Sequence, residues 1–521
     1  MERKKFALTP ENYARAIISL SKRYSSISAF PGNDYIDIGR WMQDRSLLYL
    51  AKQEEDAIVS ASGSEQPHDL VVVYNSGKKK WDVQQYSQEQ YKEFSNTTSV
   101  PAEGLGQIVF IRGFISPSWV SVIGSKYNID PEFFKRHMDF LSGSVDSHSY
   151  GSPSLASSSN NIFRLCVSTL LQRDGFRKQD LQSQRSGHAT ELRAYKLELR
   201  STRVCCGDSL VREYSTVCSS FSVIEQWISL CITKTDAGWA VIAWMDQGRP
   251  LEKSPRGPWT SHIESNATPL PILQHHPKMA FRTTTNRLDP DANDSANVQQ
   301  STRRAPHDPL SMCIPLFAHA AFSEVQFLNL MESRIQNQIN TIVEGVPADA
   351  LGTLQYFANI LNRHSRQLKD STRAICKLAE RSSQGLNGVN VESPMPKNVV
   401  SPGLGMSTRQ QISETETARN VGSNSSDSTF TTIGLLEDYE QLHVRCIDLS
   451  EMCTRGMTLA MNKATIEESR RAIEQSERLK KLTLLETLFI PLSFSSSLLV
   501  LVAERNAVLR WDCLYTNDFS I

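Results

Sequence analysis

Neither charge is in excess in this chain: 56 Lys and Arg offset 56 Asp and Glu across 521 residues. That balance lacks the basic footprint of a nucleic-acid binder, so no nucleic-acid partner is expected. Paired cysteines are missing too. The ten cysteines are scattered, and no C-x-x-C faces a second pair at zinc spacing, so reduced thiols in a cytosol-facing chain are expected. No G-x-x-x-x-G-K-[ST], H-E-x-x-H or G-x-S-x-G occurs, which leaves no phosphate loop, zinc-protease helix or nucleophile elbow. No enzyme activity and no resident cofactor are expected. The first residues, Met1-Glu2-Arg3-Lys4-Lys5-Phe6, carry charge where a signal peptide would carry an apolar stretch. Long apolar runs are absent as well, with one exception near the C-terminus.

What is present reads first as an α+β fold. Pro10 to Leu20 reads as an opening helix, and Leu70-Val71-Val72-Val73-Tyr74 as a strand closed by Asn75-Ser76-Gly77. Gln107 to Arg112 is a second strand. Ser116-Pro117 and Asp130-Pro131-Glu132 each pair a capping side chain with a first-turn proline and so open helices. Ala194 to Leu199 alternates and reads as a strand. Trp239-Ala240-Val241-Ile242-Ala243-Trp244 is apolar throughout, as the buried centre of a sheet requires. Residues 1–250 therefore form a mixed α/β domain interrupted by polar stretches at Ser142 to Asn161 and Arg173 to Ala189.

Residues 251–310 read as a disordered linker rich in Pro, Asn and Asp, and 382–430 as a Ser/Asn/Gly-rich disordered insert. Between them, 311–381 is helical. Over 431–481 a stalk helix is predicted, with Leu435, Tyr439, Leu442, Cys446, Leu449, Cys453, Gly456 and Ala460 recurring in steps of four and three. Asp448, Glu451, Glu467 and Glu468 on it read as a solvated face rather than a magnesium sensor. The fragments Gly104-Leu105-Gly106 and Gly403-Leu404-Gly405 read as loop turns; His275-His276 and Lys78-Lys79-Lys80 read as solvated corners.

The exception among the apolar runs is Leu482 to Ala503. It holds one charge, Glu486, and none from Thr487 onward. Seventeen uncharged residues reach the lower limit for crossing a bilayer. Arg478, Lys480 and Lys481 precede it as a basic flank suited to the cytosolic side. Pro491 would break a soluble core helix but is tolerated in spans. A transmembrane helix at 482–503, followed by a polar tail at 504–521, is therefore expected, with the bulk of the chain in the cytosol.

The run Arg478-Leu-Lys-Lys-Leu-Thr-Leu-Leu-Glu-Thr-Leu-Phe-Ile-Pro-Leu-Ser-Phe-Ser-Ser-Ser497 resembles the stalk end and first membrane helix of CorA-like magnesium transporters, in their divergent filamentous-fungal form. There "F.PLSF..S" leads into Phe-Gly-Met-Asn, and Pro491, Leu492, Ser493, Phe494 and Ser497 fall on matching positions. Ile123 to His137 resembles the family pattern "lGs.y.idPeFf..H", and Trp239 to Gly248 its "GW..ii..D.G" strand. The resemblance implies a homo-oligomer, a pentamer where family-like. Its pore is lined by Pro491, Phe494 and Ser497, with Arg478, Lys480 and Lys481 at the cytosolic entrance. Mg2+ would be a transported or regulatory ion rather than a fixed cofactor. The chain departs from the family after Ser497, reading Leu-Leu-Val-Leu-Val-Ala-Glu-Arg-Asn without Gly-Met-Asn. The expectation is thus a member cut before that motif and the second membrane helix, its transport competence in doubt. The alternative is a non-transporting oligomeric interaction or regulatory protein that uses the stalk as a scaffold.

Overall fold

The computed structural model describes residues 8–22, 35–43, 69–76, 81–97, 105–141, 161–173, 181–200, 204–234, 238–260, 268–273, 309–345, 347, 349–386 and 426–515. The fold is α+β. It divides into two compact units, one of Met1–Gln336 with Tyr356–Glu451, the other of Asn337–Gln355 with Met452–Ile521.

The first unit is built on an eight-stranded sheet. Its strands are β1 (Val71–Ser76), β2 (Trp81–Tyr86), β3 (Leu105–Arg112), β4 (Ile162–Gln172), β5 (Glu213–Thr216), β6 (Phe221–Lys234), β7 (Gly238–Met245) and β8 (Thr268–Pro269). They run in the order β2-β1-β3-β7-β6-β4-β8, with β5 paired to β6. Only β3 and β7 pair in parallel; the other pairings are antiparallel. The apolar run at β7 lies mid-sheet, buried from Trp239 to Trp244, as its composition predicts. Gly106 belongs to β3 rather than to a turn. It pairs with Trp239 on β7, and a Cβ there would lie 2.0 Å from the indole. The glycine makes room for the tryptophan.

Helices α1 (Pro10–Lys22), α2 (36–43), α3 (Tyr91–Thr97), α4 (Pro117–Tyr127) and α5 (Pro131–His137) pack on this sheet. Both predicted caps form: Ser116 accepts from Trp119 N–H and Asp130 from Glu132 N–H, each ahead of its proline. Asn128 ends α4 in the left-handed region with φ 48°, a conformation asparagine tolerates better than most residues.

Two further expectations are corrected. Ala194 to Leu199 is not a strand; it closes helix α6 (Leu181–Glu198). Arg185, Leu192, Tyr195 and Leu199 are buried in steps of seven, three and four, whereas Leu197 is 58% exposed, so the local alternation is incidental to a helical period. The polar stretch ending at Ala189 accordingly contributes to α6. Residues 251–260 and 268–273 also join the fold: Trp259 is fully buried with its ring 4.7 Å from that of Tyr195, and β8 pairs with β4. Ser142 to Asn161 lies outside the described residues except for Asn161, as do Lys78 to Lys80, His275-His276 and Gly403 to Gly405.

Helices α7 (Pro309–Glu344) and α8 (Ala350–Leu386) and the long α9 (Ser426–Tyr515) follow. The stretches predicted as 311–381 and 431–481 are helical and extend further at both ends. In the first unit α7 covers β4, where Ser323 Oγ accepts from the Ser168 N–H at 3.2 Å. That contact occupies a backbone N–H on the part of β4 that the two-residue β8 leaves unpaired. Leu435, Tyr439, Leu442, Cys446 and Leu449 of α9 are buried. Tyr439 donates to the Phe317 carbonyl at 2.9 Å, and the Cys446 thiol to that of Leu361 at 3.1 Å.

In the second unit the same seam continues with Cys453, Gly456 and Ala460, all buried. A Cβ on Gly456 would sit 3.0 Å from Leu354 and 3.1 Å from Ile339. Lys463 Nζ donates to the carbonyls of Ile342 and Val343 at 2.9 and 2.6 Å. It thereby caps the last turn of α7 with positive charge.

Candidate functional site

From Ala464 to Ala507 every residue of α9 is exposed. This stretch contains the apolar run. Its best 18-residue window has a mean hydropathy of 1.8 and none of it is buried. Leu488, Phe489, Ile490, Leu492, Phe494, Leu499 and Leu501 are 58–69% exposed. A soluble core helix would bury such a surface, because each large apolar side chain left in water forgoes about 1.5–3 kcal/mol of transfer free energy. One helix of this length and composition is apolar enough to cross a membrane.

The backbone stays helical through Pro491. The hydroxyls of the segment are each satisfied within the helix. Thr487 donates to Leu484, Ser493 to Ile490, Ser495 to Pro491, and Ser496 and Ser497 both to Ser493, at 2.6–3.0 Å. No serine here needs water to complete its hydrogen bonds. Of the predicted pore residues, Pro491, Phe494 and Ser497 are all exposed and follow one another at about 60°, within an arc of about 120° around the axis at 3.6 residues per turn. Arg478, Lys480 and Lys481 are exposed just before the run, and Asp448, Glu451, Glu467 and Glu468 are exposed along α9. Among the described residues no group of three or more His, Cys, Asp or Glu side chains is arranged to hold a metal ion.

The first unit carries two buried charge networks that the sequence reading did not single out. Both hang from one face of β6, where Glu225, Trp227 and Ser229 alternate with the residues of the other face. In the first, Ser229 Oγ lies 2.8 Å from His137 Nδ1, and His137 Nε2 lies 3.1 Å from Asp246 Oδ1. The order Ser–His–Asp has the look of a nucleophile triad. Its surroundings argue otherwise: His137 and Asp246 are fully buried, Ser229 is 2% exposed, and His137 stacks on Trp244 at 3.8 Å. The Asp246 carboxylate is also engaged by Arg212 through two donors at 2.7 and 2.6 Å, and by the Trp227 N–H at 2.6 Å.

Burial pushes His137 down, and although Asp246 pulls it back up, it settles at about 4. Burial would raise Asp246, but Arg212 and then His137 outweigh it and hold the carboxyl at about 2. Around neutral pH this is a neutral imidazole beside an Arg–Asp ion pair. Such a network fixes α5 to the sheet.

The second network joins β6, α7 and α8. His364 Nδ1 lies 3.0 Å from both oxygens of Glu324, and its Nε2 lies 3.2 Å from Glu225. Arg363 also pairs with Glu225, and His364 stacks on Phe327 at 4.1 Å. A neutral imidazole would turn one bare nitrogen lone pair on a carboxylate. With acceptors on both sides, the ring must carry both protons. Burial pushes His364 down, but Glu324 and then Glu225 outweigh it and raise it to about 9. Burial would likewise raise Glu225, yet His364 and then Arg363 hold it well below the usual carboxylate range. The histidine clamps sheet to helices as an imidazolium.

The nine described cysteines are free thiols. No family model matches the chain, and no curated protein matches it.

Proposed function

We propose that this chain is a membrane protein of CorA-like type, its bulk in the cytosol and Leu482 to Ala503 crossing a bilayer, with a divalent ion such as Mg2+ as cargo. One observation carries the reading: the most apolar stretch of the chain is a helix with no part of it buried. Element order supports it too. A mixed sheet capped by short helices precedes two long helices and then a third that runs into the apolar segment. The residues bearing the resemblance, Pro491, Leu492, Ser493, Phe494 and Ser497, lie on that last helix. In this reading Pro491, Phe494 and Ser497 face the ion path of a homo-oligomer, and Arg478, Lys480 and Lys481 stand at its cytosolic mouth.

Two measurements test it. The full chain should stay in the membrane pellet after alkaline carbonate washing, and proteoliposomes holding it should take up Mg2+ faster than empty vesicles. Release into the supernatant would end the membrane reading. Retention without Mg2+ flux would leave the second reading, a membrane-tethered scaffold that moves no ion. The exposed apolar side chains Ile466, Ile473 and Leu479 on the stalk favour that second reading, since a surface of that kind suits a protein partner.

A further inference from the structure

Arg478, Lys480 and Lys481 are the cations nearest the start of the apolar segment. Arg470 pairs with Glu474 at 3.2 Å and Arg471 with Glu467 at 3.9 Å, each along the helix surface. Arg445 is held by Glu332, and Lys463 caps α7. Arg478, Lys480 and Lys481 have no ion-pair or hydrogen-bond partner among the described residues, and all three are exposed. Over Arg470 to Lys481 five cations face two carboxylates, whereas at the far end of the apolar run Glu504 and Arg505 offset each other. Unmatched positive charge therefore gathers at one end only.

Distance sets the depth of these groups. The uncharged run Thr487 to Ala503 spans about 26 Å at 1.5 Å per residue, a little less than a hydrocarbon core of about 30 Å. Lys481 lies about 9 Å before that run and Arg478 about 13 Å, where phosphates and headgroup carboxylates lie. Direction sets the kind of partner. At about 100° per residue, Arg478 and Lys480 project from nearly opposite sides of the helix, with Lys481 between them. A partner helix reads a single stripe of i, i+3 and i+4 positions. A layer of headgroups meets the helix from all sides.

We infer that Arg478, Lys480 and Lys481 form a collar that selects anionic lipids, binding their headgroup phosphates and carboxylates at one leaflet. The inference rests on the membrane reading of Leu482 to Ala503 and adds a lipid class to it. Each cation near an anionic surface strengthens association by about 5-fold at physiological salt, and the effect is screened as salt rises.

The test uses the full chain reconstituted in phosphatidylcholine bilayers, with spin-labelled phosphatidylserine or spin-labelled phosphatidylcholine as the probe. The fraction of label held at the protein surface is read from the spectrum. Phosphatidylserine should be held several-fold more strongly at low salt. The preference should fall towards unity in about 1 M salt and in the triple variant Arg478→Gln, Lys480→Gln, Lys481→Gln, but persist in Arg505→Gln. All four side chains are exposed, and the salt series on the unaltered chain gives the same answer without a variant. Equal retention of both labels would overturn the collar while leaving the membrane span intact. If neither label is immobilised because the chain does not incorporate, the span fails and the collar with it.

Discussion

At the scale of single residues, the chemistry of the first unit is concentrated in two histidines held in opposite states. His137 is kept neutral by its burial beside an Arg–Asp pair, and His364 is kept charged by carboxylates on both sides. Folding raises the proton affinity of His364 from the ordinary 6.5 to about 9. Its contribution to stability is therefore full below pH 6.5 and is lost as pH climbs through about 9. Urea unfolding at stepped pH should show midpoints falling over that window, and a His364→Gln chain should lose this dependence. Removing the imidazolium altogether, as in His364→Ala, takes away the ion-pair partner of Glu324 and leaves Glu225 with Arg363. By the cost of orphaning one side of a buried ion pair, that change should destabilise the fold by about 3–5 kcal/mol. His137 was legible only as the last position of a family-like pattern and His364 not at all, and the partners of neither could be read. A histidine's partners come from remote segments, here 92 and 139 residues away, and nothing in its own neighbourhood announces them.

At the scale of elements, the seam of α9 shows what periodicity can and cannot convey. The steps of four and three from Leu435 to Ala460 mark a face that is buried at every position. Ile466 and Ile473 keep a seven-residue step out of that register and are 69% and 62% exposed. Leu442→Ala should accordingly cost about 2–5 kcal/mol, whereas Ile466→Ala should stay within about 0.5 kcal/mol. Thermal unfolding of the two variants side by side checks the contrast.

Strands were harder to read. The long strand β6 went unread, as did its neighbour β4. Along β6, Ser222, Glu225, Ser229 and Thr233 are polar yet buried, and their steps of three and four blur the period of two that marks a strand. Of these, Glu225 serves the clamp and Ser229 the His137 network, so site chemistry helped to mask the strand. The helix ends at Ser116 and Asp130 were legible because capping is local. The burial of Trp259 was not, because it depends on Tyr195 across the fold.

At the scale of the whole molecule, two compact units share one sequence-long logic: polar networks lock the first, and the second gives its most apolar surface to solvent. The apolar run was plain from composition alone, since it is the one stretch of its kind in the chain. Whether it was a core helix or a span was not, because that depends on what the rest of the fold covers. A single charge tests the point. Leu492→Arg, at the middle of the run, should raise the cost of membrane insertion by about 2.5–3.5 kcal/mol. It should move a large share of the chain from the carbonate-resistant pellet to the supernatant, while Leu479→Arg, outside the run, should not.

The hydroxyls of Thr487, Ser493, Ser495, Ser496 and Ser497 are already bonded within their own turns. During biogenesis a segment of that kind would have nothing to wait for. In the proposed membrane reading it partitions into lipid as a lone helix, with no hydroxyl waiting on a neighbour for its hydrogen bond.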